Sequence, residues 1–481
     1  MYLYHLTEDI SFYFESSGTL RFRKFSAKIM IYELDNGKLK KLNDNGVLIK
    51  DNHILNQIYT TNLNDDTMLI IDSNKNKCYI VSKDIINNGI PQNLYKNLVK
   101  KEKRHVHTSS DVTFIIAMSY NCNLHCTYCY QQHDKALDKK LISKDSLNNI
   151  LNVIEKYMNK NPDKNIELGL FGGEPLLKQN EPIIDLILSF CKKHGIRVHI
   201  TTNGYNLDYF LKKIIINRRI ISSINPTIDS LKLNYVTRKN LSNDKNCNEE
   251  TTKLILCIKT LLNYGINVNV ATNVDKHNYK DIWKTYDDFC ELELMQNKFF
   301  TWSIGRVDDR LYETNYPDII HESEIITELL NHEIPANMHI AFLKTTYNLV
   351  IKMGLKLNQK ELKGEHNYCW NSSTLDNVFY VDSSLRTFRC TYTVGRPNHS
   401  LFKFSLDNIE SYKANNITNE SYKECIGCKI GGYCGGGCQL SHKTDFDRCC
   451  SYEQETFEMF LNKIFIPYIK KLYCEEINNE S

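Results

Sequence analysis

No excess of charge marks this chain for a polyanion: lysine and arginine number 60 against 57 acids, a formal net charge of +3. Without a basic stripe to face a phosphate backbone, nucleic acid is not an expected partner. No apolar run is long enough for a bilayer either. The stretch "TKLILCIKTLL" carries lysines and falls short of the roughly 20 residues a spanning helix needs. The opening "MYLYHLTEDISFYFESS" places acids where an export signal has a basic start and an apolar stretch. These absences predict a soluble, cytoplasmic protein with no membrane partner. What the chain does have is cysteine, 17 in 481 residues, and length for about three domains at roughly 150 residues each. Disulfide frameworks belong to small secreted domains. Here the cysteines gather at ligand spacings in a long chain, which favours metal.

From about 111 to 305, β-branched runs alternate with amphipathic segments of helical period. The pattern predicts six strands, "DVTFIIAMS", "NIELGLF", "IRVHITT", "ISSINPTID", "INVNVATNV" and "KFFTWSIG", joined by crossover helices. Ser143 or Asp145 is the expected cap of the first helix, and Gly195 the expected stop of the second. Such a rhythm gives an α/β fold, a parallel sheet wrapped by helices, either open or curled into a partial barrel. Ligands then sit at the C-terminal ends of the strands. That rim collects Cys122, Cys126 and Cys129, then "FGGEP" (Phe171–Pro175), "TTNG" (Thr201–Gly204), Asp229 and Asn273. Each is bland alone, glycine pairs and Asn-Gly being ordinary turn formers; their shared position is the signal.

The three clustered cysteines have the spacing C-x3-C-x2-C in "CNLHCTYCY". A structural zinc site is closed by four ligands, usually as two pairs, and His125 beside Cys126 is poorly placed to complete one. Three loop thiolates suit a four-iron cluster with one iron left without a protein ligand. The stretch, including Asn123, Leu124 and Tyr128, resembles the signature of the radical S-adenosylmethionine (SAM) enzymes. The resemblance implies a partial (β/α)6 barrel at 109–305 and a 4Fe-4S cluster on Cys122, Cys126 and Cys129. It also implies SAM chelated at the open iron and split to a 5'-deoxyadenosyl radical that removes a substrate hydrogen. By the same resemblance Gly172, Gly173 and Glu174 accept the SAM amino group. Asp229, in a Thr227-Ile228-Asp229-Ser230 variant of the family's motif, faces the ribose, and Arg238 pairs with the SAM carboxylate. Asn203 and Asn273 join them on the rim.

Downstream, "CIGCKIGGYCGGGC" gives Cys425, Cys428, Cys434 and Cys438 in C-x2-C-x5-C-x3-C spacing. Alone it could be a fragment of a zinc ribbon. With Cys369 and Cys390 before it and the pair Cys449 and Cys450 after it, the array resembles the SPASM extension of some radical SAM enzymes, which holds two auxiliary four-iron clusters. The resemblance implies a distal cluster on Cys425, Cys428, Cys434 and Cys450, the last chosen over Cys449 because Phe457 follows it by seven positions. Cys369, Cys390 and Cys438 would hold the nearer cluster, its fourth position open, filled by His366, or taken by a substrate thiolate. Leu385 stands where the family has a glycine, so the hairpin before Cys390 is expected to turn differently. Cys191 and Cys257 read as small core residues.

The expected domains are 1–108, 109–305, a bridge at 306–364, a cluster domain at 365–455 and a closing helix at 456–481. In "MLIIDSNKNKCYIVSKD" the chain predicts a hairpin, and in "IPQNLYKNLVKKEKR" a helix. The resemblance implies that the first domain is winged-helix-like and binds a leader peptide by strand addition; a plain structural extension is the alternative. The implied function is a peptide maturase forming a thioether or other cross-link on a ribosomally made precursor. It would be fed by a low-potential donor such as flavodoxin or ferredoxin in an anaerobic cytoplasm. The alternatives are an anaerobic sulfatase (formylglycine) maturase and a non-enzymatic iron-sulfur or zinc scaffold. Thr391, after Cys390, stands where sulfatase maturases place a carboxylate base, and a threonine cannot accept a proton near neutral pH.

Overall fold

The computed structural model describes residues 3–480 except 8–9, 15–19, 25–30, 43–46, 51, 84–88, 100–110, 134–136, 138, 232–237, 241–246, 313–315, 331, 342, 344, 356–376 and 413–421. Cys369 and His366 therefore lie outside the described residues.

All six expected core strands form: Asp111–Ala117, Asn165–Phe171, Arg197–Thr202, Ile221–Pro226, Val268–Val274 and Phe300–Arg306. They are parallel neighbours in chain order. The expected crossover helices are Lys144–Lys160, Glu181–His194, Leu207–Ile216, Cys247–Asn263 and Ile282–Glu291. Ser143, not Asp145, is the cap, its Oγ accepting the Ser146 N–H at 3.1 Å. Gly195 ends its helix at φ 68°, a left-handed conformation that costs glycine little. Cys191 and Cys257 are buried, as the helix faces predicted.

The sheet is larger than six strands and its order is open. Met338–Ile340 adds in parallel beyond the sixth strand, and Val378–Val381 pairs in parallel with the first. The antiparallel strands Arg386–Phe388 and Phe402–Lys403 then complete ten. The segment that leads to Cys390 is thus stitched to the core beside the first cysteine loop.

Before the core stand two antiparallel sheets of five strands each. The predicted hairpin is there as Thr67–Asp72 and Lys77–Ser82, and the predicted helix as Gln92–Val99. At the other end the closing helix begins at Phe446, earlier than expected, and runs through a π turn at Leu461–Phe465 into Ile466–Glu480. Cys449 and Cys450 fall in its first turns, and Phe457, Phe460 and Phe465 bury it. Among the described residues no helix is long and apolar enough to cross a membrane.

The bridge segment places a carboxyl in the core. Glu322 is 4 % exposed, and its Oε1 accepts the Thr346 N–H at 3.3 Å and the Thr346 hydroxyl at 2.7 Å. Burial, with the Glu453 carboxylate beside it, pushes its pKa up to about 7. The folded chain holds this proton more tightly than the unfolded one, so stability falls as pH rises from the ordinary glutamate range through about 7. The full penalty, at most about 3 kcal/mol, is felt above about pH 8. Glu322→Gln keeps the acceptor oxygen for Thr346 and removes the ionisation. Thermal melts are expected to show a higher Tm than the parent at about pH 8 and no difference at about pH 5; a pH-independent gap would contradict this origin.

Candidate active site

The first cysteine loop is laced to the end of the second core strand. The Gly173 N–H donates to Ser119 O at 2.9 Å, and the Glu174 N–H to Asn121 O at 2.8 Å. Only glycine fits there: a Cβ on Gly172, at φ 138°, would lie 2.2 Å from Ser119 O, and one on Gly173 would lie 2.2 Å from Asn121 O. Within the loop, Leu124–Cys126 forms a short strand antiparallel to Arg238–Asn240, with Cys126 opposite Arg238. That pairing accounts for the burial of Arg238, 2 % exposed, whose guanidinium donates to Thr227 O and, at 3.4 Å, to Asn203 O. Its Nε lies 4.0 Å from the Asp229 carboxylate.

Glu174 ties two strand ends together. Its Oε1 accepts the Thr202 hydroxyl at 2.6 Å and the Leu176 N–H at 2.7 Å, while Oε2 accepts the Asn203 N–H at 2.6 Å. Thr202 carried no signal in the sequence beyond lying in "TTNG". Burial raises the Glu174 pKa, and these donors pull it back. Asn203 donates through Nδ2 to Asn123 Oδ1 at 2.8 Å and reaches Cys122 Sγ at 3.6 Å. Asp229 accepts the Tyr128 hydroxyl and, at 2.9 Å, the Asn273 N–H. The Asn273 amide also donates to Tyr128 Oη at 3.2 Å. The rim residues expected from the strand ends thus form one network around the cysteine loop.

The donor set fits a cluster. Burial, reinforced by the Glu174 carboxylate, pushes the Cys122 thiol up to about 12, and burial raises Cys126 against the pull of Arg238. Such thiols lose their protons when a metal replaces them. The Nδ2 of Asn123 is buried in the loop with no hydrogen-bond partner among the described residues, an N–H left over for a bound group. Among the described residues no three His, Cys, Asp or Glu side chains converge on a single ion.

The second cysteine field lines a cavity that includes no residue of the first loop. That cavity, of about 440 Å³, is lined by Cys425, Cys428, Cys434, Cys449, Cys450 and His442 among others. Cys438 is outside that lining. Cys390 comes back toward the first loop: the Tyr130 and Tyr392 rings stack with centroids 4.3 Å apart, and the Tyr130 hydroxyl donates to Thr391 O at 3.1 Å. This aromatic bridge was not predicted, because each tyrosine alone looks like a core residue. The hairpin before Cys390 corrects an expectation. Leu385 takes φ 61°, so the turn keeps the left-handed conformation of a glycine instead of turning differently. Asp382 holds it, Oδ1 accepting the Ser384 and Arg386 N–H groups at 3.0 and 2.9 Å, against a strain of about 1–2 kcal/mol.

Residues 116–289 match the Radical SAM superfamily. The chain contains a radical SAM domain and is an enzyme of that chemistry, using a 4Fe-4S cluster and SAM; the scaffold alternative is set aside. The cysteine-type anaerobic sulfatase-maturating enzyme of Clostridium perfringens is 22% identical over 379 residues, 72% of this chain and 94% of that protein. The radical SAM cyclopropyl synthase TigE of Paramaledivibacter caminithermalis is 23% identical over 435 residues, 84% of this chain and 83% of its own. The structure of native anSMEcpe with bound AdoMet and Cp18Cys peptide shares the fold at TM-score 0.55 and 18% identity, over 76% of this chain and 99% of that one.

Proposed function

We propose that this enzyme is a peptide maturase whose second cysteine field is a SPASM-type extension holding two auxiliary clusters. The observation that carries the reading is the conjunction of a SAM-type cysteine loop with a separate cavity lined by Cys425, Cys428, Cys434, Cys449 and Cys450, of which Cys450 is taken as the fourth ligand. In this reading Cys122, Cys126 and Cys129 hold the first cluster, and Cys369, Cys390 and Cys438 hold the nearer auxiliary one. When bound, the first cluster and SAM supply a radical able to remove a substrate hydrogen. Gly172 and Gly173 shape the cradle for the SAM amino acid part, and Glu174 orders the 202–204 turn beside it. Asn203, Asp229 and Arg238 orient the remainder, with Asn273 and Tyr128 fixing the Asp229 carboxylate. The substrate is a ribosomally made precursor, and the product a thioether or other cross-link. Electrons come from a flavodoxin or ferredoxin. The Tyr59–Asn62 strand, at one edge of its sheet, is the place where an extended leader could add.

The likeness to the Clostridium enzyme favours a second reading, formylglycine formation on a sulfatase. Against it stands Thr391, a residue without basicity near neutral pH. One anaerobic reconstitution separates the readings. About twelve irons per chain, three clusters of four, and SAM-dependent 5'-deoxyadenosine release with dithionite are expected. About four irons would remove the auxiliary clusters. Mass analysis after reaction with a cysteine-rich precursor encoded beside the gene is expected to show loss of hydrogen only. Conversion of a sulfatase-derived cysteine peptide to formylglycine, with the precursor untouched, would select the second reading.

A further inference from the structure

The five residues between Cys428 and Cys434 are gripped by a different part of the chain. The turn Ser73–Lys75 of the N-terminal hairpin sits on them, closed by Asn76 at φ 50° and capped by Asp72, whose carboxylate accepts the Lys75 N–H at 3.2 Å. The Ser73 hydroxyl, 1 % exposed residue and all, donates to Lys429 O at 2.8 Å and accepts the Gly432 N–H at 3.1 Å. Backbone meets backbone there: a Cβ on Gly432 would lie 2.2 Å from the Ser73 carbonyl carbon and 2.4 Å from Asn74 N. The next residue, Tyr433, is 3 % exposed, its hydroxyl donating to Asn76 Oδ1 at 3.3 Å and lying 4.0 Å from Cys78 Sγ. Tyr59 of the same N-terminal sheet packs edge-on against Phe457 at 5.2 Å, and both line the cysteine cavity.

The loop has short bonds of its own, the Gly431 N–H to Cys428 O at 3.1 Å and the Cys434 N–H to Ile430 O at 2.9 Å, but Gly431 and Gly432 leave so short a turn easily deformed. Here Lys429, Gly432 and Tyr433 are each pinned to one turn, so the separation of Cys428 from Cys434 is braced from outside the cysteine field as well. We propose that the Ser73–Asn76 turn is the template of the second cysteine site, with Ser73 its positioning residue, so that docking of the N-terminal sheet and occupancy of that site strengthen each other. The proposal rests on the reading that Cys425, Cys428, Cys434 and Cys450 hold an iron-sulfur cluster. Linkage requires the effect to run both ways: an N-terminal sheet seated on the loop slows iron loss, and a filled site slows opening of the turn.

The test uses the full chain, reconstituted without oxygen. Ser73→Ala leaves Lys429 O and the Gly432 N–H without their partner, a loss on the order of tenfold in the holding equilibrium. Iron release to a chelator is expected to gain a fast phase of about four irons, on the order of tenfold quicker than in the parent. The remaining irons and uncoupled 5'-deoxyadenosine release are expected to match the parent, since the Ser73 hydroxyl bonds to Lys429 and Gly432 of the second field. Ser73→Thr, which retains the hydroxyl, is expected to restore slow release. In the reverse direction, hydrogen exchange at 73–78 is expected to quicken by a similar factor when Cys425 and Cys428 are both replaced by alanine. Parental iron release in Ser73→Ala, or exchange at 73–78 indifferent to the cysteine replacements, would overturn the template. If the parent binds only about four irons, the auxiliary-cluster reading itself fails, a result distinct from either.

Discussion

Cys126→Ala is expected to lower 5'-deoxyadenosine release by at least about a thousandfold and to remove about four irons per chain. The loss follows from position as much as from chemistry. Cys126 lies within the three-residue pairing of the cysteine loop with the Arg238–Asn240 strand, opposite Arg238 itself, and in the proposed reading its removal would leave two thiolates for a cluster whose remaining iron SAM would occupy. Two thiolates cannot fix which corner stays open, so the site loses both the cluster and its orientation. The matched control is Cys474→Ala, an exposed thiol on the closing helix, for which iron content and nucleoside release are expected to equal the parent. The checks are metal analysis of anaerobically prepared protein and chromatography of the nucleoside product. Undiminished release in Cys126→Ala, or zinc in place of iron in the parent, would remove the basis of the functional reading.

The core was legible because its rules are local. Alternating apolar runs of strand length, helices with caps such as Ser143 and stops such as Gly195, and the crossover rule together placed six strands and their shared rim before any coordinate was needed. The rim residues then came with the strand ends. What the sequence did not show is built from contacts between distant segments. Ser73 and Gly432 meet across more than three hundred residues, and a serine in a hairpin turn carries no mark of its far partner. Val378–Val381 reads as a strand only once the first core strand offers it an edge. Leu385 misled for a physical reason. Its left-handed φ is the conformation that glycine usually signals, and here the Asp382 carboxylate, accepting two backbone N–H groups, holds a branched residue where residue preference predicts another turn.

Gly172→Ala is expected to cut 5'-deoxyadenosine release by on the order of a hundredfold or more while leaving the iron of the first cluster near the parental level. The new Cβ would stand 2.2 Å from Ser119 O, a backbone atom that cannot swing aside, at a φ of 138° that side chains rarely adopt. Relief requires the turn to move off the cysteine loop, which breaks the Gly173 and Glu174 N–H bonds to Ser119 O and Asn121 O. Glu174 then loses its grip on Thr202 and Asn203, so the cradle opens while the three cysteines remain on their own loop. Equilibrium SAM binding is expected to weaken in step with the rate. Gly195→Ala separates strain from contact: it also has a positive φ, 68°, but nothing lies within 4 Å of its Cβ. It is expected to cost about 1 kcal/mol of stability with no change in SAM binding. Equal SAM affinity in the parent and in Gly172→Ala would show that the glycine pair is an ordinary turn after all, and that the cofactor is held elsewhere on the rim.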